Sequence, residues 1–289
     1  MDNQKFDRQI RLFGAAGQKQ IADVQVAIIG LGGLGSHIAQ QLAYLGVRSF
    51  VLIDGDRVTW SSLNRLMGAN EDDARAQEYK VAVAARIIGK IEPEASLDTL
   101  EASFMCVEGY NLIASADFIF GCIDTDAHRL ILNELCQIHS KPYMDVSTDI
   151  GVNHGIWFGG RILFSTNGEL CLSCKDLLNQ EAIRTVFSTQ GQREEEVRIY
   201  GVPVSALTTG PSVVSLNGIL ASVAVTEFMV EITGIRPAIR SIEYNGMMGR
   251  LTVDRDPPRP DCYYCKGLFQ SKDETNIIRL AAGGWGVIP

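Results

Sequence analysis

Apolar residues along the chain come in two textures: short unbroken runs, and longer stretches where they return every three or four positions. The run Val26-Ala27-Ile28-Ile29 leads into the cluster Gly30-Leu31-Gly32-Gly33-Leu34-Gly35, and the amphipathic stretch Ser36 to Gly46 follows. That order predicts a buried strand, a tight turn and a helix. Ser49 to Asp54 reads as a second buried strand ending in an acid. The pattern then breaks. Gly55 to Gln77 is long, polar and irregular, and holds Thr59-Trp60-Ser61-Ser62-Leu63-Asn64-Arg65 and the acidic run Glu71-Asp72-Asp73. A stretch of that length within a compact unit points to function. Helical spacing returns over Tyr79 to Ile91. A weak strand (Ser96 to Glu101), a short helix (Val107 to Ser115) and a buried strand (Asp117 to Cys122) come next. Asp124-Thr125-Asp126 then caps a further helix, and Pro142 to Val146 is another strand. Strands alternating with helices predict a Rossmann-like α/β fold, a mostly parallel, doubly wound sheet.

From Gly151 the texture changes to an antiparallel C-terminal extension. Gly155 to Phe158 and Arg161 to Phe164 read as strands on either side of Gly159-Gly160, and Ile239 to Val253 holds two more. Gln180 to Tyr200 is polar and charged and is expected to be exposed. Pro211 to Thr233 reads as a long helix of small and apolar residues. At the other end, Phe6 to Phe13 predicts a short helix before Ala15-Ala16-Gly17, with Gln18 to Asp23 leading into the first strand. The expectation is one domain over 1–289: a nucleotide-binding part to about 150, a second part over about 151–265, and a flexible tail over 266–289.

Composition narrows the class. A net charge of −8 weighs against nucleic acid or an anionic membrane as the main partner. Asn217 and Glu227 interrupt the most apolar stretch, which therefore reads as a buried helix and not a membrane span. Met1 to Arg11 is polar and shows no signal-peptide pattern, so a cytoplasmic location is expected. Four of the seven cysteines form two Cys-x-x-Cys pairs, Cys171/Cys174 and Cys262/Cys265. Two such pairs match a closed, tetrahedral, structural zinc site; free thiols or a redox pair are the alternatives. Cys106, Cys122 and Cys136 stand singly in apolar surroundings and read as core thiols.

Gly30, Gly32 and Gly35 have the spacing of a phosphate-binding turn. One glycine makes the turn, one admits a phosphate and one lets helix pack on strand, with the helix N-terminus facing the anion. Asp54 follows at about the 20 residues expected of a ribose-binding carboxylate. Around it stand Asp56, Asn64, Arg65, Lys80 and Asp124. Two cations with several acids suit a nucleoside triphosphate and Mg²⁺ better than a dinucleotide.

Together these residues resemble the ubiquitin-activating-enzyme-like adenylyltransferase family, the ThiF/MoeB/HesA group. The resemblance runs over about residues 5 to 265. It rests on Arg8-Gln9, the glycine cluster, Asp54-Gly55-Asp56, Leu63-Asn64-Arg65, Lys80, Cys122-Ile123-Asp124 and the cysteine pairs. It implies that Gly30, Gly32, Gly33 and Gly35 wrap the ATP phosphates, with Asn64 nearby. Asp54 would bind ribose, Arg65 and Lys80 the phosphates, and Asp124 Mg²⁺. Arg8 would reach the nucleotide of a partner subunit in a homodimer. The implied activity is ATP-dependent adenylation of the C-terminal carboxylate of a ubiquitin-like or sulfur-carrier protein with a Gly-Gly tail. The alternatives are a peptide or tRNA-linked carboxylate, or a nucleotide-binding scaffold subunit that has lost catalysis. Two departures bear on this. Ser62 and Leu66 replace the family's asparagine and glutamine, and no cysteine lies between Cys174 and Cys262 to form a thioester.

Overall fold

The computed structural model describes residues 3–151, 155–187 and 211–272. Strands β1 (Gln25–Ile29), β2 (Ser49–Ile53), β3 (Ser96–Leu100), β4 (Phe118–Gly121) and β5 (Tyr143–Gly151) are mutually parallel. Strands β6 (Trp157–Ser165), β7 (Ser241–Asn245) and β8 (Arg250–Val253) continue the sheet antiparallel, giving the order β3-β2-β1-β4-β5-β6-β7-β8. The chain reverses direction across the sheet between β1 and β4. In open α/β sheets the crevice at such a switch point binds ligand.

Helices cover both faces. They are α1 (Asn3–Asp23), α2 (Gly33–Leu45), α3 (Glu71–Ala76), α4 (Lys80–Ile91), α5 (Val107–Ser115), α6 (Asp126–Ile138), α7 (Gln180–Phe187) and α8 (Val214–Thr233). Central strands are buried on both sides, so they read as unbroken apolar runs. Ile28 and Val26 of β1 join Ile38, Leu42, Leu220 and Phe228 on one face. Ala27 and Ile29 join Ile113, Leu132 and Leu135 on the other. Helix α8 is apolar almost all round because it lies against α1, α2, β5 and β6. It is long and apolar enough to cross a membrane by length and composition, yet its Phe228 packs edge-on against Phe118 at 4.9 Å inside the core. Its buried Glu227 accepts from Arg236 and from the Ile239 N–H, which satisfies the charge.

Several sequence expectations need correction. The N-terminal helix is expected to end near Phe13. It stops there as expected, at Gly14, whose φ of 76° and ψ of 167° are not helical and suit glycine; what the sequence reading lacks is the second helical stretch of α1, from there to Asp23. The region 55–77 is not wholly irregular: Trp60–Ser62 is a 3₁₀ turn and Glu71–Ala76 is a helix. Thr125 gives α6 no side-chain cap, because its hydroxyl bonds His128 Nδ1 at 2.6 Å instead. β5 continues past Val146 to Gly151, and β6 passes unbroken through Gly159-Gly160. Those glycines are not a turn. A Cβ on Gly159 would strike the Tyr244 carbonyl, and one on Gly160 would strike Ser147 and Leu220. The start of the expected flexible tail, to Lys272, is tied down: the Gln270 and Lys272 N–H groups donate to the Gln137 and Ile138 carbonyls. Most of the expected exposed segment, from residue 188, lies outside the described residues.

The loop after β2 is held from below by Arg86 of α4. Its guanidinium donates to both oxygens of Asp73 at 2.7 Å and to the Gly68 carbonyl at 3.2 Å. Hydrogen bonding from Arg86 keeps the Asp73 carboxyl below its ordinary range. A depressed folded pKa stabilises above the unfolded value, and the gain is lost as pH falls through the folded one. Arg86→Met should therefore lower stability at pH 7 by about 2 kcal/mol. The gap to the unaltered protein should begin to narrow as pH falls below about 4. Denaturant titrations across that range check this, and an equal deficit at pH 3 and pH 7 would contradict it.

Candidate functional site

The glycine turn is built by exclusion. Gly30 has φ 90°, and a Cβ there would stand 2.6 Å from the Cys122 carbonyl oxygen at the end of β4. A Cβ on Gly35 would collide with the Gly30 carbonyl, and one on Gly33 with the side chain of Asn217. Gly32 differs: nothing lies within 4 Å of the position its Cβ would take. That leaves open space beside the N-terminus of α2, which no side chain caps. Its first N–H groups and its dipole are thus available to an anion.

The loop after β2 closes over this space. Met67 donates its N–H to Ser36 Oγ of α2 at 3.1 Å, which brings Arg65 beside the turn. The Arg65 Cδ lies 3.5 Å from where a Gly33 Cβ would stand, and its guanidinium donates to the Ser61 carbonyl and to Asn64 Oδ1. Asp54, half-buried at the end of β2, accepts the Leu31 N–H at 2.6 Å and the Asp56 N–H at 2.8 Å. Burial pushes its carboxyl up, and Lys80 and the two N–H donors pull the other way. Lys80, at the start of α4, pairs with exposed Asp56 at 2.6 Å. Cation and acid are therefore presented together at the mouth of the crevice.

Ser62 and Leu66 have local roles. Ser62 Oγ donates to the Thr59 carbonyl and accepts the Thr59 N–H, capping the 3₁₀ turn. Leu66 is buried with Val58, Ala74 and Val83 in a small cluster under the loop. Both hold the backbone that carries Asn64 and Arg65.

Beyond β4, Asp124 is exposed, as a carboxylate that meets a hydrated cation should be. Neighbouring His128 is held below its ordinary pKa by burial, with Asp124 opposing, so a neutral ring sits beside this acid. Beneath lies a buried network that sequence reading missed. Arg129 donates to both Asp145 oxygens and to Asp126, and the Tyr143 hydroxyl donates to Asp145 at 2.8 Å. Asp126 also accepts the Asn179 N–H at 2.8 Å, tying the start of α7 to this end of the sheet. Asn217 was also missed as a site residue. Its signal was present, since it is a lone amide in an apolar run.

The four paired cysteines meet. All four sulfurs are buried and lie within 4.8 Å of one another, with Cys171–Cys262 at 3.6 Å and Cys174–Cys265 at 3.8 Å. A tetrahedron of Zn–S bonds of ~2.3 Å has sulfurs about 3.8 Å apart, so the donor set fits zinc. Hydrogen bonds from Cys171 and then Cys265 hold Cys174 far below the usual thiol range. Those bonds hold Cys265 well above it, as one anion shared among thiols requires. Cys136 is fully buried, Cys106 accepts the Gly109 N–H at the start of α5, and burial pushes the Cys122 thiol up. Arg8 lies on the exposed side of α1.

A glycine turn at a sheet switch point, with Asp54, Arg65 and Lys80 about it, is joined by similarity to adenylyltransferases of the ThiF/MoeB/E1 type. The profile of the ThiF family matches residues 6–264, and the chain belongs to that family. It is 32% identical over 188 residues to the sulfur carrier protein ThiS adenylyltransferase of Escherichia coli (strain K12), covering 63% of this chain and 71% of that one. It is 33% identical over 174 residues to the molybdopterin-synthase adenylyltransferase of the same organism, covering 59% and 66%. A crystal structure of E. coli MccB with MccA-N7isoASN shares the fold at a TM-score of 0.73 and 17% identity, covering 92% of this chain and 75% of that one.

Purified protein should carry about one zinc per chain by elemental analysis. Cys262→Ser should lower the thermal midpoint without weakening ATP binding; metal-free protein of full stability would refute the site. Restoring the family's glutamine by Leu66→Gln should not raise activity. It should cost about 2 kcal/mol by burying an unpartnered amide, read from denaturant unfolding.

Proposed function

We propose that the chain uses ATP and Mg²⁺ to adenylate the C-terminal carboxylate of a ubiquitin-like or sulfur-carrier protein, releasing pyrophosphate. The observation that carries this reading is the open space at Gly32 at the carboxyl end of β1, with Arg65 beside the turn, Asp54 bonded to the Leu31 N–H and Lys80 paired with Asp56. The ThiS and molybdopterin-synthase relatives support that kind of substrate.

Each residue has a physical task. The α2 N-terminus and the glycine backbone hold phosphate oxygens, and Asp54 accepts the ribose hydroxyls. A carboxylate is already a nucleophile, so no strong base is needed; positioning and charge neutralisation do the work. As the carboxylate oxygen bonds the α-phosphorus, the bond to the β-phosphate bridge breaks. Arg65 and Lys80 take up the charge that grows on pyrophosphate, with Lys80 exchanging Asp56 for phosphate. Asp124 would hold Mg²⁺, which would neutralise phosphate oxygens when bound. Arg8 serves the site of a second subunit. Exposed Val213, Val214 and Ile219 on and beside α8 give the homodimer an apolar face.

ATP–pyrophosphate exchange dependent on a carrier protein ending in Gly-Gly tests the activity. Arg8→Ala and Asp124→Ala should each abolish exchange, and mixed dimers should regain part of it, because one composite site stays intact. Absence of rescue, or a monomer in sedimentation, would refute the shared site. The product should be an acyl-adenylate with no adduct that a reducing agent cleaves, since no cysteine lies between Cys174 and Cys262, Cys136 is fully buried and burial holds the Cys122 thiol protonated. A thiol-sensitive adduct lost on changing Cys106 or Cys122 would overturn that.

A further inference from the structure

The start of α8 lies against the phosphate turn. A Cβ on Gly33, the first residue of α2, would stand 2.2 Å from Asn217 Nδ2 and 3.5 Å from Arg65 Cδ. Asn217 is the fourth residue of α8, and its N–H closes that helix's first bond, to the Val213 carbonyl at 3.1 Å. One turn along α2, His37 lies 3.4 Å from where a Cβ on Gly218 would stand. Its ring bonds the Val214 backbone, and burial keeps it below its ordinary pKa, which leaves it neutral at pH 7. The first turns of α2 and α8 are therefore in contact.

Neighbouring helix starts repel, because each carries the positive end of a dipole and N–H groups without intrahelical partners. Gly32 and Val213 give these two helices no side-chain cap, and neither helix has an acid in its first turn. Asp54, the acid bonded to the turn, is already engaged by the Leu31 and Asp56 N–H groups. Arg65 brings a guanidinium whose partners, the Ser61 carbonyl and Asn64 Oδ1, are neutral. Asn217 adds a further positive end. Its side chain is 1% exposed, and its Nδ2 rests on Gly33 while donating to Ser212 Oγ at 3.2 Å. That bond is local to the start of one helix and ties in no second element. It does not account for an amide on the buried side of an apolar helix, where leucine would cost less to bury. Away from water, dipoles gathered in this way are weakly screened.

We propose that Asn217 belongs to the phosphate site: its amide holds the starts of α2 and α8 together beside Arg65 and adds its dipole to a buried positive junction that the phosphates of ATP neutralise. Asn217 acts through Gly33 and through the field at the α2 N-terminus, so it is a positioning residue and not a catalytic one. The proposal rests on the adenylation reading for its nucleotide but makes a separate claim about how the phosphates are held.

Titration calorimetry of the full chain with ATP and Mg²⁺, and separately with inorganic tripolyphosphate, tests it on two variants of similar side-chain size. Asn217→Asp puts a negative charge where the phosphates should supply it. It should weaken both ligands about tenfold, with the ligand-free thermal midpoint no lower than that of the unaltered chain. Asn217→Leu keeps the bulk and removes the amide dipole. It should weaken both ligands about threefold at an equal or higher midpoint. Affinity then falls while stability holds, which loss of a structural contact alone would not produce. Unchanged affinities, affinities that fall only in step with the midpoint, or a destabilised Asn217→Asp protein would each overturn the proposal. So would an effect on ATP without one on tripolyphosphate, or failure of the unaltered chain to bind either ligand. Pyrophosphate exchange with a carrier ending in Gly-Gly is read in parallel. Exchange with ligand affinities indifferent to Asn217 sinks the proposal and leaves adenylation standing; the expected order of affinities without exchange does the reverse.

Discussion

Three backbone segments meet at the carboxyl ends of β1 and β4 with no room for a side chain between them. The Gly30 carbonyl fills the space a Cβ on Gly35 would need, and the Cys122 carbonyl presses on Gly30 itself. This close approach fixes where α2 begins and which way its free N–H groups face. It also fixes how near the β4 terminus, and with it Asp124, comes to the phosphate turn. Tyr143 sets the other side of the same junction, since its ring and hydroxyl occupy the space at Gly121. Its hydroxyl ends in the Asp145–Arg129 pair. A buried ion pair contributes little net stability, but removing one partner strands a charge in the core. The network therefore acts mainly to hold the start of α6 and the end of β4 in one register.

The cysteine cluster works at the opposite end of the same helix. Gln137 and Ile138, in the last turn of α6, accept from the chain just past Cys265. Helix α6 is thus pinned by Arg129 at its start and by the cysteine-bearing segment at its finish. A metal there would stabilise the site without touching nucleotide, consistent with a closed Cys₄ donor set that leaves no open position.

The parts of the fold legible in the sequence are those whose physics is local. β1 and β2 are buried on both faces and stand out as apolar runs, and glycine spacing reports a turn that few other residues could make. The cysteine pairs are legible because two residues between thiolates is itself a metal-binding geometry. Where the reading stopped, the decisive contacts are distant in sequence. Helix α3 is short, and its order depends on Arg86 reaching Asp73 across the loop. The Gly159-Gly160 pair reads as a turn in isolation, and only the neighbouring carbonyls reveal a strand under close approach. Asn217 reaches Gly33, and Arg129 reaches Asp145, only once helices and sheet are assembled.

The residues that depart from the family pattern show why position and environment must be weighed before residue type. Judged by type alone, replacing an asparagine by Ser62 and a glutamine by Leu66 shortens one polar group and removes another from the loop after β2, and suggests lost chemistry. In place, Ser62 both donates to and accepts from Thr59, and Leu66 fills a pocket under the loop where an amide would have no partner. Neither change moves a charge: Arg65, Lys80, Asp54 and Asp124 all keep their places around the turn. The two residues give the loop a local cap and its own small core, on which Arg65 is held by the Ser61 carbonyl and Asn64 Oδ1. A scaffold that had given up catalysis would be free to lose the charged groups first, and these are the groups the chain retains.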